Sequence, residues 1–305
     1  MSSPDPPTKK LQVSREGQSA LRAMSISHRR VRLLFGARLL ISAGIAVTGA
    51  VLTIRSVPAT WVTLAGAAWA AINSVGLTWW ADAELQRAAK LQEKFEVEAF
   101  RLPWNHVAAG PEVRSADRSA LSRKFKKGRI DSDWDDVPAF DPPFDVLARQ
   151  LTNLVWGARV RRRYANVVAV VIGAWTLAGA VVGVAGGFTV AQIFVGWYVP
   201  SLGGLLFGLE SIRQQLAVAK ERERVADYAE KQILEAARRP LDPALRASLV
   251  TLSRQLQDVL FRTRSRAPRV PKFPFYRLSY ERDKLNCREC TRGVADALAT
   301  LSPAP

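Results

Sequence analysis

Charged residues are unevenly distributed along the chain, and one uncharged stretch runs for 46 residues, from Tyr164 to Leu209. A single helix of that length would measure roughly 69 Å at about 1.5 Å per residue, whereas about 20 residues cross a bilayer core of about 30 Å. Gly186-Gly187 near the middle offers a turn. The pattern therefore predicts two transmembrane helices, 164–185 and 188–209, joined by a very short loop.

Two further apolar stretches lie closer to the N-terminus. The 16 uncharged residues from Leu39 to Ile54 become a span of 22 if the helix begins at Leu33 and Arg38 snorkels to the interface. The stretch 56–81 also carries no charge, and its tryptophans near both ends are typical of the aromatic belts at membrane interfaces. We therefore expect an all-α integral membrane protein with four transmembrane helices and a cytosolic helical region.

The positions of the basic residues predict which side of the membrane each polar region occupies. Of 44 Lys and Arg, seven lie in residues 1–32, 16 in residues 82–163 and 19 in residues 210–305, whereas Arg55 lies on the opposite side. The positive-inside rule then places all three regions, and both termini, in the cytoplasm. The predicted domains are listed in chain order: a cytosolic arm at 1–32, transmembrane helices 1 and 2 at 33–81, a cytosolic helical insertion at 82–163, transmembrane helices 3 and 4 at 164–209, and a cytosolic helical tail at 210–305.

The polar regions themselves show helical periodicity. We expect helices over 82–100, 144–163, 210–239 and 243–266, and the last carries one apolar stripe typical of a packing face. The stripe consists of Leu245, Leu249, Leu252, Leu256, Val259 and Leu260. The first ten residues are expected to be disordered, and a weakly ordered loop is expected where a basic cluster at 123–129 precedes an acidic one at 131–136.

Composition excludes several classes of function. A net charge of +17 and a pI near 10.6 could suggest nucleic acid, but no motif that binds DNA or RNA is present. The cytoplasmic regions of a membrane protein explain the charge instead, so we predict no DNA or RNA partner. Cys287 and Cys290 form one C-x-x-C, and the histidines, His28 and His106, are far away in the sequence. We predict reduced thiols and no metal site.

Catalytic motifs are absent as well. The chain has no nucleophile elbow, no glycine loop of the Walker type and no paired-histidine motif, so we predict that it is not an enzyme. Glycines repeat every four residues at 179, 183 and 187 and at 204 and 208, which is typical of close helix packing in lipid. Apart from Arg38 near the cytoplasmic end of the first span, the polar residues inside the predicted spans are not ionisable, which favours a pore built from several copies over a proton-coupled carrier.

Two segments of the polar regions resemble a known family. The first comprises residues 92–96 (Gln-Glu-Lys-Phe-Glu) and 100–105 (Phe-Arg-Leu-Pro-Trp-Asn), directly after the second predicted span. The second comprises Leu256-Gln257-Asp258, Phe261-Arg262, Arg264 and the region 270–277, where an extra residue and a second proline depart from the family pattern. Together with the order of spans, these segments resemble the S-4TM family of SMODS-associated pore-forming effectors over residues 20 to 290.

The resemblance implies a role in cyclic-oligonucleotide antiphage signalling of the CBASS type. A partner nucleotidyltransferase would make a cyclic di- or trinucleotide, and the effector, a homo-oligomer in the bacterial inner membrane, would respond by permeabilising that membrane; no other cofactor is expected. Arginine offers bidentate contacts to phosphate, and aromatic rings stack on bases. The candidate ligand-binding residues are therefore Trp104, Asn105, Arg262, Arg264 and Tyr276.

Other interpretations remain open at this point. Trp104 and Asn105 could simply end a helix and pack against the tail, and the other three candidates could form interfacial or intersubunit contacts. For the whole protein, the alternative is a membrane scaffold or adaptor that forms no pore and recruits a cytosolic partner through its tail. A lipid-processing enzyme would need a catalytic array at the interface, and none can be assembled from this sequence.

Overall fold

The computed structural model describes residues 14–126 and 140–300, except for the side chains of Lys272 and Phe273. Within these ranges all regular secondary structure is helical, which confirms the predicted all-α class for the described part of the chain. The α-helices are α1 Arg15–Ile54, α2 Thr60–Ala71, α3 Leu77–Phe100, α4 His106–Ala109, α5 Ser115–Arg123, α6 Phe144–Ala185, α7 Val190–Ile193, α8 Val199–Ala237, α9 Pro243–Arg266 and α10 Tyr280–Ala299. There are also π-helical segments at Ile72–Gly76, Phe194–Tyr198 and Lys272–Tyr276. The disorder predicted for the first ten residues, the acidic cluster at 131–136 and part of the basic cluster lie outside the described ranges.

Within residues 14–126 and 140–300, three helical segments are long and apolar enough to cross a membrane, by length and composition: Arg15–Ile54, Phe144–Ala185 and Val190–Ala237. They contain the predicted first, third and fourth spans. The chain turns between the last two, where Gly187 adopts a left-handed φ of 65°. Thr189 and Gln192 then form a capping box that begins α7. The turn predicted at Gly186-Gly187 is thus confirmed.

The predicted second span is interrupted. After α2 the backbone forms the π-helical turn Ile72–Gly76, and α3 continues from there. This segment is not among the three that qualify by length and composition, so the count of four spans stays a prediction. Trp61 and Trp79 near its ends are 83% and 81% exposed, which suits aromatic side chains at a membrane interface.

The chain forms two compact units. We call the first, comprising Met1–Arg29, Leu85–Arg161 and Ala217–Pro305, the polar unit, and the second, comprising Arg30–Glu84 and Arg162–Leu216, the apolar unit. Helices α6, α8, α9 and α10 supply the main core of the polar unit. The stripe predicted on α9 is confirmed, because Leu249, Leu252, Leu256 and Leu260 are buried in this core while Leu245 and Val259 pack against it. Full burial of such a side chain contributes about 1.5–3 kcal/mol relative to leaving it in water.

The apolar unit exposes large aliphatic side chains. Leu40, Val75, Val170, Val184 and Val190 are all exposed. Exposed aliphatic side chains are what a lipid-facing helix requires. These side chains support a membrane location for the apolar unit.

Glycines allow close contacts inside the apolar unit. A Cβ atom on Gly179 would lie 2.7 Å from the ring of Trp197, and one on Gly208 would overlap the side chain of Ile172. The prediction that these glycines serve helix packing is confirmed for contacts within the chain. Gly187 differs, since it lies in the turn after α6 rather than in a helix.

Candidate functional site

Trp104 lies in the loop between α3 and α4, in the polar unit. Its indole Nε1 donates a hydrogen bond to the carbonyl of Gly110 at 2.9 Å. The ring packs against a small apolar cluster that contains Ala89, Ala109 and Phe261. Trp104 thereby fixes the loop after α3 on the surface of α9.

Asn105 caps the short helix α4. Its Oδ1 accepts hydrogen bonds from the amides of Val107 at 3.0 Å and Ala108 at 3.2 Å, and its Nδ2 donates to Oδ2 of Asp258 at 2.9 Å. One side chain therefore satisfies two amide donors of α4 and joins that helix to α9. The packing against the tail considered for Trp104 and Asn105 is observed, but Asn105 begins α4 rather than ending α3, which ends at Phe100.

Arg262 lies on the exposed side of α9. Its Nε donates to Oε1 of Glu221 on α8 at 3.0 Å, and Arg266 on the next turn donates to the other oxygen of Glu221 at 3.3 Å. Both arginines are largely solvated, so these ion pairs contribute little to stability. Arg262 is available to an anion that approaches from solvent.

Arg264, two residues further along α9, is buried. Its Nη1 donates to Oε2 of Glu96 on α3, and this carboxylate also accepts from Gln257 at 2.7 Å and from Gln92 at 2.8 Å. The other terminal nitrogen of Arg264, Nη2, is buried and has no hydrogen-bond partner within the described ranges. A buried guanidinium donor without an acceptor is unfavourable and calls for an explanation.

A second buried arginine, Arg222 of α8, was not among the predicted residues. Its Nε donates to Oγ1 of Thr263 at 2.9 Å, and its Nη1 donates to the carbonyl of Asn153 at 3.3 Å. The guanidinium lies against the backbone of Gly157 in α6, where a Cβ atom would overlap Nη1. Glycine at this position is what gives Arg222 its place in the core.

Arg161 of α6 is the third buried arginine. Its Nη1 donates to the carbonyl of Pro268 at 3.2 Å and its Nη2 to that of Ala267 at 3.5 Å. A run of arginines such as 159 and 161–163, directly before an apolar stretch, is typical of a cytoplasmic membrane interface. The side chain of Arg161, however, is buried in the polar unit. Half-buried Tyr276 interacts electrostatically with both Arg161 and Arg222.

We call Arg161, Arg222 and Arg264 the arginine centre, because each acts on the charge of another. Burial, with the charge of Arg264 adding to it, lowers the pKa of Arg161 to about 10 against the opposing effect of Tyr276. Burial lowers the pKa of Arg222 well below its ordinary value, and the charges of Arg161 and Arg264 lower it further. Both shifts reflect positive charge held in a poorly solvated place.

Glu96 supplies negative charge to this centre. Burial works to raise the pKa of its carboxyl, but the charge of Arg264 and the hydrogen bonds from Arg264, Gln257 and Gln92 outweigh burial and leave the pKa below its ordinary value. Glu96 is therefore ionised at neutral pH, and it also weakly supports the charged form of Arg222.

A second carboxylate of α3, Glu93, belongs to a neighbouring network. It accepts hydrogen bonds from Arg254 at 2.7 Å and from Gln257 at 2.8 Å. Burial raises its pKa, with the charge of Glu96 adding to the effect, although the hydrogen bonds from Arg254 and Gln257 oppose it. Gln257 is thus shared between the two carboxylates and connects the arginine centre to Arg254.

The apolar unit contains one more buried arginine, Arg38 of α1, which is 5% exposed. Its Nη2 donates to the carbonyl of Asn73 at 2.8 Å and to Oγ1 of Thr78 at 3.3 Å, and its guanidinium lies over the ring of Phe207, 4.4 Å from the centroid. The expectation that Arg38 snorkels to the interface is therefore wrong, since this side chain is bound inside the unit. The acceptor carbonyl lies in the π-helical turn Ile72–Gly76.

The C-x-x-C motif lies on α10. Cys287 is buried and Cys290 is half-buried, and both are free thiols. Burial, with the neighbouring thiol adding to it, raises the pKa of Cys287 to about 12, so this thiol is not activated. Among residues 14–126 and 140–300, no group of three or more His, Cys, Asp or Glu side chains could hold a metal ion.

The structure thus separates the five predicted residues into three places. Arg264 and Tyr276 meet at the arginine centre, Arg262 lies on the exposed face of α9, and Trp104 and Asn105 lie in the loop that α9 supports. The sequence analysis did not select Arg161, Arg222 or Glu96 as site residues. Glu96 lies inside the first family-like segment, and this position is the feature of the sequence that could have identified it.

The fold and this site define a helical membrane protein with a buried cationic centre in its polar unit. The family described as the SMODS-associating 4TM effector domain matches residues 8–293, and the chain belongs to this family. The chain is also 22% identical over 208 residues to a probable CBASS effector molecule of Bacillus cereus (strain VD146), a match that covers 66% of this chain and 70% of the relative. No solved structure matches the chain.

Proposed function

We propose that this protein is the membrane effector of a CBASS-type antiphage system and that a cyclic oligonucleotide activates it. The family match over residues 8–293 carries the proposal, and the relative in Bacillus cereus, named a probable CBASS effector, supports it. A partner nucleotidyltransferase would supply the messenger on infection. The effector would then permeabilise the bacterial inner membrane, so that the cell stops growing or dies before phage matures.

The proposed membrane arrangement has four spans in each copy and several copies around one pore. Three helices of sufficient length and the exposed aliphatic side chains of the apolar unit support it, and the segment from α2 into α3 would supply the fourth span. Both termini would lie in the cytoplasm, as the distribution of Lys and Arg favours. Several copies are proposed because four short spans enclose little space alone.

The proposed ligand site lies in the polar unit. Arg264 and Tyr276 would meet a phosphate and a base, respectively, since guanidinium groups bind phosphate oxygens in pairs and phenol rings stack on bases. Arg262 would contribute a solvated contact, and Trp104 and Asn105 would shape the adjoining loop. The proposed ligand is a cyclic di- or trinucleotide, with no other cofactor and no catalytic step.

Release of a trapped dye from liposomes that contain the purified protein tests this function. The liposomes are challenged in turn with a panel of cyclic di- and trinucleotides, and the corresponding linear nucleotides serve as controls. We expect release with one messenger and none with its linear form. Silence across the panel, with the protein shown to be folded and inserted, would contradict the proposal and favour a scaffold that recruits a protein partner.

A further inference from the structure

We propose that the arginine centre is a binding site for a phosphodiester anion, and that the carboxylate of Glu96 holds the position that this anion takes when it binds. Cyclic oligonucleotides carry phosphodiester groups, so the site deepens the function proposed above and rests on it for the identity of the natural ligand. Phospholipid headgroups carry the same group. The shared chemistry is a monoanion with two unesterified oxygens.

The unpaired donor of Arg264 is the first observation. Its side chain is 7% exposed, and Nη2 has no acceptor in the part of the chain that the structure describes. Glu96 accepts a hydrogen bond from Nη1 only, so one of the two terminal nitrogens of the guanidinium is paired. A phosphodiester has two oxygens at the spacing of the guanidinium fork and would engage both terminal nitrogens.

The neutral partners of Arg222 are the second observation. The hydrogen bonds described above join its guanidinium to a hydroxyl and a carbonyl. Carbonyl and hydroxyl oxygens bind guanidinium groups more weakly than ionised oxygens do. The three positive charges are close enough to act on one another, so a further anion at the centre would relieve their repulsion.

Glu96 already shows how an anion is bound here. Donors from Arg264, Gln257 and Gln92 converge on its carboxylate, which is 2% exposed. Loss of this carboxylate without replacement would leave buried charge unpaired, whereas exchange for another anion keeps the balance of charge. Exchange is therefore the route by which a ligand can enter without destabilising the centre.

The segment from Ala267 to Tyr276 interacts with the centre at both of its ends. Arg161 binds the carbonyls at its start, and Tyr276 at its end acts on Arg161 and Arg222. Exchange for a ligand requires the carboxylate of Glu96 to leave Arg264. Binding therefore changes the contacts between α3, which carries Glu96, and α9, which carries Arg264.

Thermal unfolding of the full-length protein in detergent tests the site with simple anions. Inorganic phosphate and dimethyl phosphate, a minimal phosphodiester, are titrated against chloride at matched ionic strength. In Glu96→Gln the competing charge is gone while the shape is kept, so we expect half-saturation at about tenfold lower phosphate than in the wild type. The further change Arg264→Met in the Glu96→Gln background should abolish the response.

Glu93→Gln is the matched control, because Glu93 is equally buried on the same helix but pairs with Arg254. Its response to phosphate should equal that of the wild type. Equal responses of Glu96→Gln and Glu93→Gln, or a response of Glu96→Gln that survives loss of Arg264, would overturn the site. If Glu96→Gln does not fold, the wild type is compared with Arg222→Lys and with the exposed control Arg292→Lys. Equal responses of these three proteins to dimethyl phosphate would also overturn the proposed site.

Two further arms identify the source of the anion. The cyclic nucleotide that releases dye, and separately phosphatidylglycerol in the micelle, replace dimethyl phosphate in the same titration. The natural source is the compound, cyclic nucleotide or phosphatidylglycerol, that stabilises the wild type but not Arg222→Lys. If the protein responds to simple anions but no nucleotide releases dye, the site is retained and the proposed function is refuted. If a nucleotide releases dye equally well from wild type and Arg222→Lys, the function is retained and the site is refuted.

Discussion

Arg38 donates two hydrogen bonds to a single residue, Asn73, one from Nε to the side-chain Oδ1 at 2.5 Å and one from Nη2 to the backbone carbonyl at 2.8 Å. Asn73 in turn donates from Nδ2 to the carbonyl of Gly203 at 3.0 Å. A charged side chain in an apolar environment is retained only when it is paired in this way. The pair therefore ties α1 to the π-helical turn and to α8.

Replacement of Asn73 by leucine is expected to destabilise the protein more than replacement of both residues. Asn73→Leu leaves the guanidinium of Arg38 without its side-chain acceptor, at a cost of about 1–3 kcal/mol or more. Arg38→Leu together with Asn73→Leu removes the buried charge as well and should recover part of that loss. Unfolding of each variant in detergent, followed by tryptophan fluorescence, measures the difference.

Exposed Arg55 provides the control for this comparison, since Arg55→Leu removes a positive charge from the same unit without breaking a buried contact. We expect its unfolding to resemble that of the wild type. A double variant less stable than Asn73→Leu alone would contradict the pairing described here.

Substitution of Gly157 by alanine is expected to destabilise the polar unit by about 1–3 kcal/mol, because the added methyl group overlaps the guanidinium of Arg222. Gly173 lies on the same helix with open space at its Cβ position, so Gly173→Ala should be neutral or stabilising by up to about 1 kcal/mol. Shortening the arginine, as in Gly157→Ala with Arg222→Gln, should relieve the overlap. Denaturant unfolding compares the three variants, and equal losses for Gly157→Ala and Gly173→Ala would refute the contact.

Glu96 and Glu93 should respond to pH in opposite directions. The pKa of Glu96 is lower in the folded protein than its ordinary value of 4.5, so its contribution to stability is complete above that value and is lost as the pH falls below it. The pKa of Glu93 is raised in the folded protein, so protonation favours the folded state and the contribution of Glu93 grows as the pH falls.

Unfolding midpoints measured from neutral pH down to about pH 3 separate the two carboxylates, because the contribution of Glu96 is lost only below its ordinary pKa. As the pH falls, the stability difference between wild type and Glu96→Gln should shrink. Over the same range, the wild type should gain stability relative to Glu93→Gln. Parallel slopes for the two variants would show that the two carboxyls do not differ in this way.

Two substitutions at Asn105 distinguish its two structural roles. Asn105→Ala loses the helix cap and the bond to Asp258 and should cost about 0.5–2 kcal/mol. Asn105→Asp keeps an oxygen for the amides of α4 but places a carboxylate against Asp258, so its loss of stability should shrink as the pH falls and the introduced carboxyl is protonated. Thermal unfolding over pH tests this, and identical pH profiles for both variants would contradict the contact with Asp258.

Much of the fold could be predicted because it depends on local pattern. The turn at Gly186-Gly187 follows from the length of the uncharged run and from the tolerance of glycine for a positive φ. The leucine stripe of α9 follows from helical periodicity. The π-helical turn after Ala71 could not be predicted, since it accompanies a hydrogen bond from Arg38, a residue far away in the sequence.

The candidate site could be predicted only in part. Arg264 lay in a family-like segment, but Arg222 lies within a run of alternating charges and Arg161 within a run of arginines, and both patterns are also typical of solvated surfaces. Which member of a charged run is buried is decided by the facing helices, here by the space over Gly157 and by the carbonyls of Ala267 and Pro268. No local pattern contains that information.

The contact between Gly157 and Arg222 also constrains the order in which mutations can accumulate. A side chain larger than hydrogen at position 157 overlaps the guanidinium where it now lies, so it costs stability until the end of Arg222 shifts or position 222 becomes shorter. A shorter residue at position 222 creates no such overlap with glycine at 157. Laboratory evolution of this protein should therefore reach combined changes at the two positions through Arg222 first.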